Sequence, residues 1–305
     1  MSDTNTKRTT PPREAQQKVS GKEGSGEETP GQAARSNEGS PPTNSQLTIR
    51  RLALVGARGG MGRLIAARSR AAGIDVRELD RPLTEEKIAA AVTGADMVLL
   101  SVPVYATAEV AALVAGHMGG RQILADVGSV KTLPIAGMVE HYPGAVVGTH
   151  PLFGPEPKPE EPLRVAIMDG RPGQDGWATR LVWDWCERIG FTPFASDAAE
   201  HDRAAAFVQG LNFVTTVAYF AAQAAGGEVQ KYLTPSFQRR LGAAEKLITK
   251  DAALFAALFE ANPYSHEAVR NYRSLLNIAA GGDVDLLVRR AEAWWAAKTE
   301  TKDNP

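Results

Sequence analysis

Between positions 52 and 195, short apolar runs alternate with segments whose apolar residues recur at helical spacing. Residues 52–55, 97–102 and 123–127 are almost wholly apolar, the pattern of strands covered on both faces. Residues 74–80 alternate apolar with polar, and 145–148, 164–168 and 190–194 supply further strands. Helical spacing begins at Leu64, resumes at Thr84, and recurs over 108–115 and 177–189. Strands alternating with helices predict an α/β domain of Rossmann type, a doubly wound parallel sheet over residues 48–195. After residue 196 the strand pattern stops. An Ala- and Leu-rich sequence broken at Gly226-Gly227, Pro235, Pro263 and Gly281-Gly282 predicts an all-α helical domain reaching residue 300. Apolar faces carrying Phe213, Tyr219, Phe220, Phe255 and Phe259 suggest that it packs against a copy of itself, giving a homodimer.

Residues 1–47 differ. They are rich in Ser, Thr, Gly, Pro and charged side chains, with almost no large apolar residue. Such a composition cannot offset its ordering entropy, so a disordered tail is expected. Charge then narrows the partners. The 305 residues carry 34 basic and 35 acidic side chains, a net charge of −1. No field gathers nucleic acid or an anionic membrane, and neither is expected as a partner. The longest apolar run, 97–104, is too short to span a bilayer. Cys186 is the single cysteine, which excludes an intrachain disulfide and fits a reducing cytoplasm. No leader pattern opens the sequence, and no metal site is expected.

The first strand runs into Gly56-Ala57-Arg58-Gly59-Gly60-Met61-Gly62, followed by a helix. A strand, glycine turn and helix in this order suit a pyrophosphate, because the backbone approaches closely and the helix start presents free N–H groups. Gly59 and Gly62 match the second and third glycines of the dinucleotide fingerprint; Ala57 stands at the first, beside Gly56. Asp80 closes the second strand, where an acid bonds ribose hydroxyls and disfavours a 2′-phosphate. The cofactor read from this is NAD. Ligands of open parallel sheets sit beyond the strands' carboxyl ends. Two polar groups fall there, Asp126-Val127-Gly128-Ser129-Val130-Lys131 and Gly148-Thr149-His150-Pro151. His150, read as lying in a turn at a strand end, can take a proton near neutrality, with Ser129 positioning the same group.

In this order the motifs resemble the prephenate dehydrogenase family, from about Leu52 to about Trp295. The carriers are the glycine turn through Arg63, Ser101-Val102-Pro103, Asp126…Lys131, Gly148…His150-Pro151…Phe153-Gly154-Pro155, and Glu200-His201-Asp202. The resemblance is closest to the branch whose other members are fused to a chorismate mutase, and no mutase is expected in the low-complexity tail. It implies hydride transfer from ring carbon 4 to NAD with loss of carbon dioxide from carbon 1 of a cyclohexadiene dicarboxylate. It implies His150 and Ser129 as catalytic residues and His201 in the interdomain site. Ser101 and Pro103 join Gly56, Gly59, Gly60, Met61, Gly62 and Asp80 as cofactor residues.

Two departures from the family pattern stand out. Lys246 falls where relatives carry a carboxylate-binding arginine, and Lys cannot make the same two-pronged contact. Arg239 or Arg240, about two turns earlier, is the compensating candidate, Arg240 being preferred. Gln209 and Asn212 stand where relatives often carry histidine. This loss of basic character suits a substrate bearing an amine at carbon 4, and the pattern looks like 4-amino-4-deoxyprephenate dehydrogenases of actinobacterial antibiotic pathways. Three alternatives remain: a prephenate dehydrogenase for tyrosine synthesis, an NAD-binding sensor without catalysis, and a β-hydroxyacid dehydrogenase using Lys246 as base.

Overall fold

The structure, a computed structural model, describes residues 48–223 and 229–300. The tail expected over 1–47 and the break at Gly226-Gly227 lie outside the described residues. Seven strands form one sheet in the order β2-β1-β3-β4-β5-β6-β7. These are β1 (Arg51–Val55), β2 (Asp75–Leu79), β3 (Met97–Leu100), β4 (Ile123–Asp126), β5 (Val146–Pro151), β6 (Arg164–Asp169) and β7 (Thr192–Ala195). The five strands from β2 to β5 are mutually parallel, linked by α1 (Gly60–Ala71), α2 (Glu85–Val92), α3 (Thr107–Ala115) and α4 (Thr132–His141). Strand side chains alternate between two cores. Leu52, Leu54, Met97 and Leu99 pack on one face with Ile65 of α1 and with Val182 and Trp185 of α5 (Gly176–Arg188). Ala53, Val55, Val98 and Leu100 pack on the other with Ile88, Val110 and Met138 from α2, α3 and α4. The doubly wound architecture is as expected.

One expectation needs correction. The sheet is not wholly parallel, because β6 runs antiparallel to β5, and β7 runs parallel to β6. A parallel return requires a crossover, usually helical. The Pro-rich connection between β5 and β6 contains no helix, so the chain turns back beside the strand it has just left. Helix α4, over which no helical spacing had been read, is a further difference.

The C-terminal part is helical, as expected. It comprises α6 (Ala198–Ala205), a π-helical segment (Ala206–Leu211), α7 (Asn212–Gln223), α8 (Pro235–Thr249), α9 (Ala252–Ala261), α10 (Ser265–Ala280) and α11 (Val284–Glu300). Pro235 opens α8, while Pro263 and Gly281-Gly282 fall between helices. The Asp197 carboxylate caps α6 by accepting from the N–H groups of Ala199 and Glu200. The continuous helix Ala198–Gln223 is long and apolar enough to cross a membrane by length and composition. Its first half instead carries His201 and Asp202 into a buried polar cluster.

Candidate active site

The carboxyl ends of four strands are in register. Val55 pairs with Leu100, Leu100 with Asp126, and Asp126 with Gly148. Gly56, Ser101, Val127 and Thr149 therefore share one level, and His150 stands one residue beyond it. Three strand spacings separate β1 from β5, roughly 14 Å along that edge.

At the β1 end, Gly56, Gly59, Asp80, Ser101 and Pro103 line a cleft of about 410 Å³. The glycines are sterically required. Gly56 has φ +83°, and a Cβ there would lie 2.2 Å from the Ser101 carbonyl oxygen. A Cβ on Gly62 would lie 2.3 Å from the Gly56 carbonyl oxygen. Gly59 caps α1 without a side chain, so the first N–H groups of α1 (from Gly60, Met61 and Gly62) are not covered by a capping side chain. A Cβ on Gly60 would meet Pro155, from the loop after β5, at 2.9 Å. The loop after β5 thus packs against the glycine turn. Asp80 accepts a hydrogen bond from the Arg58 N–H at 3.1 Å and faces the same cleft. A glycine cradle, an open helix start and an acid at the end of β2 fit a dinucleotide with free ribose hydroxyls.

At the β5 end lies a buried polar cluster. His150 is not in a turn, as read from the sequence; it is the penultimate residue of β5 and pairs with Ala166. The antiparallel β6 extends β5 beyond its parallel neighbours, which explains the difference. Gly148 lies on the same face two residues earlier, and its missing side chain leaves room for Ile135 and the stem of Lys131. His150 is 3 % exposed and His201 7 %. Nδ1 of His150 lies 2.7 Å from Nε2 of His201. Nδ1 of His201 lies 2.8 Å from Oδ1 of Asp202. The Asp202 carboxylate also accepts from the backbone N–H groups of Lys131 and Thr132, at 2.8 and 2.7 Å. Asn262 donates to the Asp202 carbonyl at 2.7 Å, tying α6 to the C-terminal end of α9.

Beneath this chain sits an ion pair. Lys131 Nζ donates to Asp126 Oδ1 at 2.6 Å and to the Thr149 carbonyl at 2.7 Å, with both charged side chains fully buried. Burial pushes the Asp126 carboxyl up and the Lys131 ammonium down, and their mutual attraction opposes both shifts. Burial also lowers the His150 pKa well below the ordinary histidine range, helped by neighbouring His201 and Lys131. His150 is therefore uncharged near neutral pH. Burial alone would raise the Asp202 carboxyl, but hydrogen bonds from His201, Thr132 and Lys131 outweigh it and hold the carboxyl below its ordinary value.

The remaining sequence candidates divide. Ser129, half-buried after β4, lines a cavity of about 10 Å³ with Gln209, Asn262 and Ser265. The π-helical segment brings Gln209 there, and such segments often mark functional positions. Asn212 is exposed at the start of α7 and does not line that cavity, whereas its neighbour Phe213 is buried against Phe255. Arg240 is exposed on α8, its guanidinium 3.6 Å from the centre of the Tyr219 ring. Lys246 is also exposed and pairs with Asp251 at 3.7 Å. Helix α8 packs on α7 and α9, so within one chain Arg240 and Lys246 do not join the His150 cluster. The base required by the β-hydroxyacid alternative is therefore elsewhere on the surface. Sequence reasoning assigned no role to Asp202, Lys131 or Asp126, although the motifs contained all three.

Residues 58–163 match the family described as prephenate dehydrogenase, nucleotide-binding domain. The T-protein of Haemophilus influenzae is 31 % identical over 215 residues, covering 68 % of this chain and 55 % of that protein. The probable arogenate/prephenate dehydrogenase of Methanocaldococcus jannaschii is 26 % identical over 242 residues, covering 72 % and 53 %. The chain thus spans about half the length of these curated relatives. Two solved structures share the fold. Synechocystis arogenate dehydrogenase gives a TM-score of 0.65 at 17 % identity, covering 82 % of this chain and 99 % of that one. Prephenate dehydrogenase from A. aeolicus, in complex with hydroxyphenyl propionate and NAD+, gives 0.64 at 20 % identity, covering 85 % and 98 %.

Proposed function

We propose that the chain, whose residues 58–163 match the nucleotide-binding domain of the prephenate dehydrogenase family, catalyses the NAD-dependent oxidative decarboxylation of a cyclohexadiene dicarboxylate. The observation that carries this reading is His150, buried at the carboxyl edge of β5, on the sheet edge that begins with the glycine cradle. Gly56, Gly59, Gly60, Met61, Gly62, Asp80, Ser101 and Pro103 would hold NAD, which supplies the hydride acceptor when bound. Asp80 favours NAD over a 2′-phosphorylated relative.

His150 accepts the proton of the ring carbon 4 substituent as hydride leaves that carbon. The carbon 1 carboxylate then departs as carbon dioxide, and its bonding pair enters the ring and completes the aromatic sextet. With a 4-hydroxy substrate, the borrowed proton returns to oxygen. Ser129 and Gln209, which share a cavity of about 10 Å³, would orient the ring once that space widens to admit it. Substrate roles for Asn212, Arg240 and Lys246 would require a partner chain or a movement of α7 and α8.

The finer reading is a 4-amino-4-deoxyprephenate substrate giving 4-aminophenylpyruvate, as an antibiotic precursor. Charge supports it. Two buried carboxylates, Asp126 and Asp202, lie about one buried ammonium, Lys131. Such a site suits an ammonium-bearing ligand better than a site rich in Arg and His. Prephenate, giving 4-hydroxyphenylpyruvate, is the second reading, supported by the family description and by the similarity to the Methanocaldococcus jannaschii protein. NADH formation with each purified substrate separates them. Faster turnover of prephenate overturns the amino reading, and turnover of neither overturns both.

A cytoplasmic homodimer belongs to the same proposal. Phe207, Val208, Leu276 and Val288 are exposed apolar residues of the helical part, a surface suited to a second copy of the chain. A monomeric mass in analytical ultracentrifugation would contradict it.

A further inference from the structure

We propose that Asp202 and His201 are positioning residues that fix the tautomer of His150 and receive its proton, forming a three-member relay from α6 to the end of β5. This rests on the proposed dehydrogenase reading and adds to it. The assignment follows from the donors and acceptors. An ionised carboxylate only accepts, and Asp202 already accepts two backbone N–H bonds. Nδ1 of His201, 2.8 Å from Asp202, must therefore carry a hydrogen. The relay as proposed takes the resting His201 ring to hold that one hydrogen, which leaves its Nε2 bare. Its neighbour at 2.7 Å, Nδ1 of His150, must donate to it. That leaves the lone pair of His150 Nε2 for the substrate. The rings meet edge to face at 77°, with centroids 4.9 Å apart. Both are buried, so bulk water does not scramble the assignment.

The transfer balances. The proton on the ring heteroatom moves to Nε2 of His150, and the proton on Nδ1 of His150 moves to Nε2 of His201. The positive charge comes to rest on His201, beside the Asp202 carboxylate, and His150 is left neutral. With a 4-hydroxy substrate both shifts reverse when the ring becomes aromatic. A 4-ammonium substrate yields a neutral arylamine, so the relay holds one surplus proton until it passes to water. No oxidant beyond NAD is needed.

The test pairs a spectroscopic and a kinetic readout on the full chain. In protein carrying ¹⁵N-labelled histidine, the shifts of ligand-free His150 should report hydrogen on Nδ1 and a bare Nε2. Asp202→Asn should mix the tautomers and lower kcat by about 10²-fold, with KM nearly unchanged. The charged groups facing His150 are Asp202 on α6 and Lys131 at the start of α4, with Asp126 behind Lys131. Losing the Asp202 carboxylate removes the anion that favours protonated His150, so the acidic limb of the kcat profile should move to lower pH. His201→Phe keeps the Asp202 bonds to Lys131 and Thr132, and covers the case in which Asp202→Asn fails to fold. It should show a similar fall in kcat with unchanged NAD affinity. Hydrogen on Nε2 of His150 in the parent, or parental kcat in His201→Phe, overturns the relay. A parent that turns over neither substrate overturns the dehydrogenase reading instead, and the tautomer measurement stands without substrate.

Discussion

Replacing Lys131 with Met removes the ammonium that faces Asp126 and leaves a carboxylate with 1 % side-chain exposure uncompensated. Met fills most of the same volume, so little of the effect comes from a cavity. The Thr149 carbonyl loses its donor as well, although the Gly128 N–H still bonds Asp126 at 2.9 Å. Breaking one partner of a buried ion pair costs about 3–5 kcal/mol. With a urea m-value near ~2 kcal/mol/M, the unfolding midpoint should fall by about 1.5–2.5 M at unchanged m. The companion variant joins Lys131→Met to Asp126→Leu. It removes both charges and should recover most of the loss, stopping about 1 kcal/mol short because the Gly128 N–H loses its acceptor. A single variant within about 1 kcal/mol of the parent, or a double variant no better than the single, would refute the claim that this pair is dry and mutually dependent.

Gly62→Ala places a Cβ 2.3 Å from the Gly56 carbonyl, so NAD affinity measured by calorimetry should fall at least about tenfold, ~1.4 kcal/mol. Stability should depend on acid through His150. Its folded pKa lies below the ordinary 6.5, so its contribution is complete above that value and is lost as pH falls below it. Asp202, depressed from 3.8, contributes above that value and loses its share at lower pH. Scanning calorimetry should therefore show Tm falling from about pH 6.5 to 5, with a flatter profile in His150→Asn. Arg240→Ala should leave KM for the substrate within about twofold and cost about 0.5–1 kcal/mol of stability, because the guanidinium rests on Tyr219 in the same chain. A tenfold rise in KM would return Arg240 to the substrate site.

The parts legible in the sequence are those fixed by local requirements. Gly56 and Gly62 are demanded by backbone contacts a few residues away or one strand over, and the pattern 52–62 announced them. The two-sided burial of β1, β3 and β4 was written in their apolar runs. The direction of β6 was not, because its composition suits either orientation and the connecting loop decides. The pairing of His150 with His201 joins residues 51 apart, and no periodicity encodes that contact. Asp202 stood beside His201 in the sequence, yet its role depends on two N–H groups some seventy positions earlier. Arg240 was placed by its charge, whereas its aromatic neighbour on α7 holds it.

The most direct test of the account is single-turnover NADH formation by the parent and by His150→Asn, at saturating NAD and with each of the two substrates. The variant should bind NAD with parental affinity but form NADH about 10²–10⁴-fold more slowly on the favoured substrate. A variant that matches the parental rate would contradict it.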